Sequence, residues 1–337
     1  MPDPIKIFVI ESNLKEYQVN QSYTFNIEQK LGSGSYGAVF DIGDQLVMKL
    51  FFHSTLGKTV FEEKECIIPF KNENRELSLY FQMMKEPLNN HIQHHVIPPL
   101  LIGYIQKDFI YQKDTFKKNN YFILLPFCIP FHKYYKIKNN PLLHHEDSYS
   151  FIVQFMYTMM KSSQYLESKY NIIHLDYKLS NIMYLYHSDL IKKIKDDVMI
   201  ITDKKESSKK KYHENLIVID FGLVKKKTKN IPFIFDPNDK QEGEIQYYLW
   251  PSEKDGFHLY HIPSYSMGIN VIELLLGREK VLKLPNHINL YEYIEIIYQK
   301  YQELGYLLKK VLVDKLETNE TFLYIQKLHD LLFESKK

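Results

Sequence analysis

Four short runs hold the residues whose types and spacing could do chemistry. They are Gly32-Ser33-Gly34-Ser35-Tyr36-Gly37-Ala38-Val39, Leu46-Val47-Met48-Lys49, His174-Leu175-Asp176-Tyr177-Lys178-Leu179-Ser180-Asn181, and Ile217-Val218-Ile219-Asp220-Phe221-Gly222. The first has the spacing G-x-G-x-x-G. Glycines let the backbone come close to phosphate oxygens and offer its N–H groups. Dinucleotide-binding folds use the same spacing to open a helix. Here both flanks alternate as strands do, and Val39 follows, so a hairpin over a nucleotide is expected and the dehydrogenase arrangement fails. Lys49 stands alone in an apolar strand ten residues after Val39. Such a lysine usually snorkels to solvent. Behind a glycine hairpin it is better read as the cation that holds the α- and β-phosphates.

The third and fourth runs resemble the H-R-D-x-K-x-x-N catalytic loop and the D-F-G segment of the eukaryotic-type protein kinase superfamily. The resemblance spans roughly residues 23–280. It implies a kinase using ATP and Mg²⁺, with protein hydroxyls as acceptors. Asp176 would take the substrate proton, and Asn181 and Asp220 would hold Mg²⁺, which prefers oxygen ligands. Lys178 would reach the transferring phosphate, as in the serine/threonine kinases. Lys49 needs a carboxylate partner, and Glu62, Glu63, Glu65, Glu73 and Glu76 are the candidates. Asn74-Arg75-Glu76-Leu77-Ser78-Leu79 most resembles the family's R-E-[IL]-x-[IL] helix, which selects Glu76. The ATP site would comprise Gly32, Gly34, Gly37, Val39, Val47, Lys49, Leu125, Cys128 and Met183, with Leu125 at the gatekeeper position before the hinge. Tyr248-Leu249-Trp250-Pro251-Ser252-Glu253 resembles the A-P-E segment, and Ser264-Tyr265-Ser266-Met267-Gly268 the start of the long central helix.

To position these residues, three strands are expected over 23–52, a helix near 62–84, and strands over 97–104 and 121–127. An amphipathic helix follows over 147–170, with Ile152, Phe155, Met156 and Met159 at helical spacing as core. From Ser264 the pattern stays helical. The expected class is α+β and two-lobed: an extension over 1–22, a small antiparallel ATP-binding lobe with one main helix over 23–128, and a larger, mostly helical catalytic lobe over 129–337. The lysine-rich stretch 187–215 reads as a surface insertion in the second lobe.

Apolar residues make up 45% of the chain, enough for a real core, and a net charge of +2 points to neither nucleic acid nor membrane. Two cysteines, Cys66 and Cys128, suggest a reducing, intracellular setting without a disulfide framework. There is no signal-peptide pattern and no apolar run of spanning length. Arg75 and Arg278 are the only arginines, so ion pairs must be built mainly by lysine. His91, His94 and His95 lie close together, but no cysteine or carboxylate completes a metal set.

The chain also departs from the family pattern. Leu175 replaces the arginine that pairs with a phosphorylated activation loop, so activity without that switch is expected. The segment from Gly222 to Glu253 offers only Thr228 as a Ser/Thr before Ser252. Pro263 occupies the place of an aspartate that would accept from the catalytic-loop backbone, so other groups must satisfy those N–H donors. Two other readings share the fold: a small-molecule kinase of the aminoglycoside-phosphotransferase kind, against which Lys178, D-F-G and Glu253 argue, and a pseudokinase scaffold.

Overall fold

The computed structural model describes residues 4–34, 36–55, 72–131, 148–185, 216–226, 232–233, 257–258, 261–282 and 287–333. Two compact units emerge. One holds the described residues as far as Cys128, together with Leu185; the other holds the rest from Ile129 onward.

The first unit is a seven-stranded antiparallel sheet. Its strands are β1 (Ile5–Ser12), β2 (Ser22–Phe25), β3 (Gln29–Ser33), β4 (Gly37–Asp41), β5 (Leu46–Thr55), β6 (Leu101–Ile105) and β9 (Asn120–Pro126). They run in the order β2-β1-β6-β9-β5-β4-β3. A hairpin, β7 (Phe109–Tyr111) and β8 (Asp114–Phe116), interrupts the connection from β6 to β9, and helices α1 (Asn72–Met83) and α2 (Leu88–Ile92) follow β5. Alternation divides the sheet's side chains. Phe40, Met48, Leu50, Phe122 and Leu124 point into one aromatic-rich core, joined by Ile5, Ile7 and Val9 from β1. Phe40 meets Phe109, Tyr111 and Phe116 of the β7–β8 hairpin at ring distances of 6.0, 5.2 and 5.9 Å.

Residues 1–22 are therefore not simply an extension. Ile5–Ser12 lies between β2 and β6, hydrogen-bonded to both. Gly103 on β6 admits this strand, because a Cβ there would stand 2.2 Å from the Phe8 carbonyl oxygen. Region 23–52 carries four strands rather than three, since Ser22–Phe25 pairs with β1 and only the last three form the glycine-hairpin ladder. The strand expected from Ile97 begins at Leu101. The start of the helix expected near Glu62, and the stretch 187–215, lie outside the described residues.

The second unit is organised by α3 (Ser148–Tyr170) and α4 (Ile262–Leu276). The stripe Ile152, Phe155, Met156 and Met159 on α3 is buried, as its spacing requires. Asn171, with φ 55°, takes the left-handed turn that ends this helix. On α4, every residue from Ile262 to Leu275 is buried. Gly268 lets Leu312 come close, since a Cβ there would stand 2.7 Å from a Leu312 methyl. Around these lie α5 (Arg278–Val281), α6 (His287–Lys300), α7 (Gln302–Leu312) and α8 (Thr318–Phe333). Short ladders carry the loops of interest: β11 (Ile172–His174) pairs with β14 (Val224–Lys226), and β12 (Ile182–Leu185) with β13 (Leu216–Val218). Strand β10 (Cys128–Pro130) adjoins β12, and the two-residue strands β15 (Pro232–Phe233) and β16 (Phe257–His258) pair with each other. Among the described residues no helix is long and apolar enough to cross a membrane.

Candidate active site

In the first unit, the register of three strands builds the site. Val39 faces Lys49 across β4 and β5, Lys49 faces Ile123 on β9, and Val47 faces Leu125. Directly opposed residues share a face. Val39, Val47, Lys49 and Leu125 therefore stand together on the side of the sheet away from its aromatic core. Lys49 Nζ donates to both carboxylate oxygens of Glu76 at 2.7 Å. The Glu76 side chain is fully buried and that of Lys49 is 12% exposed. Of the five carboxylates considered, Glu62, Glu63 and Glu65 and the Glu73 side chain lie outside the described residues.

The three glycines divide by physical cause. A Cβ on Gly37 would lie 2.2 Å from the Leu50 carbonyl oxygen, so packing demands glycine there. Added Cβ atoms on Gly32 and Gly34 would meet nothing within 4 Å among the described residues. The Gly34 N–H donates to the Gly37 carbonyl at 2.9 Å and closes the turn. Internal packing leaves Gly32 and Gly34 unexplained, whereas a phosphate held against the backbone would explain them. Cys128 is half-buried; its thiol donates to the Pro126 carbonyl at 3.3 Å, and burial pushes the thiol well above its ordinary range.

In the second unit, the segment after β11 folds around the Asp176 carboxylate. Lys178 Nζ stands 2.9 Å from Asp176 Oδ2. Asn181 Nδ2 donates to the same oxygen at 2.8 Å and to the Asp176 carbonyl at 2.9 Å. Its Oδ1 makes no hydrogen bond among the described residues. The Ile219 N–H donates to the Asn181 carbonyl at 3.0 Å, which ties the strand leading to Asp220 beside Asn181. Asp220 itself has φ 62° and ψ 73°, a left-handed conformation that aspartate tolerates better than most residues. An amide oxygen and a carboxylate on adjoining backbones form the donor set that a hard divalent cation prefers. Met183 lies on β12 opposite Ile217 and is partly exposed.

His174 lies beneath the loop. Its Nδ1 accepts from the Asp176 N–H at 3.0 Å, so the proton belongs on Nε2, which faces the Ile219 carbonyl at 3.3 Å. Burial lowers its pKa, partly offset by the Asp176 charge, the Ile219 carbonyl and the Asp220 charge; nearby Lys178 adds to the lowering. The ring also packs against Tyr177 at 4.7 Å and Phe221 at 5.4 Å. The donors left by Pro263 are thus met locally: the Leu175 N–H reaches the Leu223 carbonyl at 2.8 Å, and the Asp176 N–H reaches His174. Leu175 is buried and serves packing. From α4, Asn270 Nδ2 donates to the Tyr177 carbonyl at 2.7 Å, a contact that no motif announced. The A-P-E-like segment ending at Glu253, and Thr228, lie outside the described residues. His91 is buried, with Nε2 3.0 Å from the Met83 carbonyl, and no metal-binding cluster occurs among the described residues.

No protein-family model and no curated protein sequence matches this chain. Its fold does match solved structures. One is the ROP18 kinase domain in complex with AMP-PNP and sucrose, with a TM-score of 0.60 at 14% identity, covering 98% of this chain and 85% of that one. Together with the curled antiparallel sheet and the helical second unit, this match shows that the chain has the two-lobed α+β protein-kinase-like fold.

Proposed function

We propose that this protein is an ATP-dependent protein kinase of the serine/threonine type. The observation that carries the reading is the Asp176 carboxylate held by Lys178 at 2.9 Å and Asn181 at 2.8 Å. A general base must be positioned before it can act. Held in this way, Asp176 would orient the acceptor hydroxyl and take its proton as the oxygen bonds to the γ-phosphorus and the bond to the β–γ bridging oxygen breaks. Lys178 carries a cation for the charge spread over the transferring phosphoryl oxygens. Lys49, oriented by Glu76, would hold the α- and β-phosphates, while Gly32 and Gly34 offer backbone and Val39, Val47 and Leu125 offer apolar surface to the base. Asn181 Oδ1 and the Asp220 carboxylate would hold Mg²⁺, which neutralises phosphate charge when bound. The fold neighbour was solved with AMP-PNP, which supports a nucleotide as ligand here.

The test is to incubate purified protein with radiolabelled ATP, Mg²⁺ and a cell lysate, and to analyse the phosphoamino acids formed. Phosphoserine and phosphothreonine are expected. Predominant phosphotyrosine would refute the serine/threonine assignment. Transfer only to small alcohols would support the small-molecule kinase, and nucleotide binding without transfer the scaffold.

A further inference from the structure

Asn270 sits mid-way along α4, fully buried in the run Ile269-Asn270-Val271-Ile272, whose other members are also fully buried. Its Nδ2 donates to two carbonyls, Tyr177 and Ser266, each at 2.7 Å. These contacts fix the amide's orientation, because the flipped form would set an oxygen against two oxygens. Asn270 Oδ1 is buried with no hydrogen-bond partner among the described residues. A core built only for stability has little use for this arrangement, since a buried amide with an orphan oxygen costs more than an aliphatic side chain of similar size.

What the amide does achieve lies at Tyr177. This residue separates Asp176 from Lys178. Its ring is buried against His174, and its hydroxyl lies 3.2 Å from Ser162 Oγ of α3. Once Asn270 grips the carbonyl, Tyr177 is held at both ends. The carbonyl belongs to the peptide that joins Tyr177 to Lys178. Its plane sets where the Lys178 chain starts and hence how its ammonium meets Asp176, 2.9 Å away. Pro263 leaves the head of α4 without a carboxylate, so this helix reaches the loop through an amide further along. We infer that Asn270 is a positioning residue: a donor from the central helix that fixes the 177–178 peptide and, through it, the Asp176–Lys178 pair. The inference rests on the proposed phosphoryl transfer only for its kinetic readout.

Two variants test it. Asn270→Leu fills the space and removes the donor. Asn270→Asp keeps the shape but, when ionised, sets a carboxylate against two carbonyls; when protonated it donates one hydrogen bond again. Each is assayed well below its melting temperature, with wild type alongside at every pH. Asn270→Leu should lower kcat at least tenfold, with KM for ATP within about twofold of wild type and no pH dependence in the ratio. Asn270→Asp should show the same deficit at pH 8, with activity relative to wild type rising as pH falls. A folded Asn270→Leu with wild-type kcat would overturn the inference, and so would an Asn270→Asp deficit that is flat with pH. Hydrogen exchange of the 176–181 backbone provides a readout without activity. Faster exchange there in Asn270→Leu, beyond any global change, is expected, and unchanged exchange would overturn the inference even if wild type transfers no phosphate. A wild type inactive in the transfer assay, with faster loop exchange in the variant, would reject the kinase reading alone.

Discussion

Removing one or both members of the Lys49–Glu76 pair separates its structural from its chemical role. The carboxylate is fully buried, the ammonium side chain is 12% exposed, and both contacts are 2.7 Å long. Unit charges about 4 Å apart at an effective dielectric of about 20 attract by about 4 kcal/mol. Desolvating the two groups consumes most of that gain, so the intact pair contributes little net stability. Its loss on one side is another matter. Lys49→Met takes the cation from a carboxylate that solvent does not reach, and Glu76→Leu takes the anion from an ammonium at the sheet face. Each should cost about 3–5 kcal/mol. The double variant Lys49→Met/Glu76→Leu leaves no stranded charge and should recover most of the loss. Urea midpoints of the four proteins give the cycle, and phosphoryl transfer is measured on the same samples. The expected result is a double variant nearly as stable as wild type yet inactive, because on the proposed function Lys49 holds the phosphates. If the double variant lost the sum of the single losses, the two groups would be acting independently and the buried-pair reasoning would be refuted.

Four further outcomes are expected. Asp176→Asn should lower turnover at least ~10²-fold while nucleotide affinity, measured by calorimetry with Mg²⁺-AMP-PNP, stays near wild type, since on the proposed function the residue acts on the acceptor hydroxyl. Gly37→Ala should lose about 1–3 kcal/mol in urea unfolding because its Cβ meets the Leu50 carbonyl; Gly34→Ala should change stability by less than about 0.5 kcal/mol yet raise KM for ATP. His174 has a lowered folded pKa, so below about pH 6.5 the unfolded chain binds a proton that the folded one refuses, and stability should fall with pH at up to about 1.4 kcal/mol per unit; with EDTA present and normalised to the value at pH 7.5, His174→Gln should flatten that fall between pH 6.5 and 5.5. Phosphatase treatment and Thr228→Ala should each leave the initial rate unchanged, and a tenfold drop in both would show that a phosphate is needed.

The parts of the site that were legible in the sequence are those where chemistry dictates residue type. On the proposed function a base, a cation and a divalent-ion ligand would stand in the order Asp176, Lys178, Asn181, and a lysine offered to a nucleotide would need a carboxylate; the structure brings the first three together and pairs Lys49 with Glu76. Folding constraints were less visible. Ile5, Ile7 and Val9 alternate as a strand, but Phe8 and Ile10 fill the other phase with apolar side chains and blur the period of two. That composition suits a strand lying between two others, which is where β1 belongs. Strands β7 and β8 have three residues each, too few for any period to show. Asn270 carried a signal, a lone amide in the apolar run Ile269–Ile272, but its partner is a backbone carbonyl 93 positions away, which no side-chain pattern encodes.

Those hidden contacts bear on how the loop holds its shape. In the family pattern, an arginine before the catalytic aspartate makes loop geometry depend on a phosphate elsewhere. Leu175 places an apolar side chain in the core instead, and its N–H is satisfied by the Leu223 carbonyl. His174 accepts from the Asp176 N–H, Asn181 grips the Asp176 carboxylate and Asn270 grips the Tyr177 carbonyl. Each partner is supplied by the unmodified chain. Ordering by phosphorylation adds roughly −1.5 to −2 charges, which help only where a cation waits to receive them. Here the groups that orient Asp176 are neutral or already paired with it. On the proposed function the same economy would let a chain with two arginines carry out the reaction: lysines would supply the charge at positions 49 and 178, and amides and backbone the geometry.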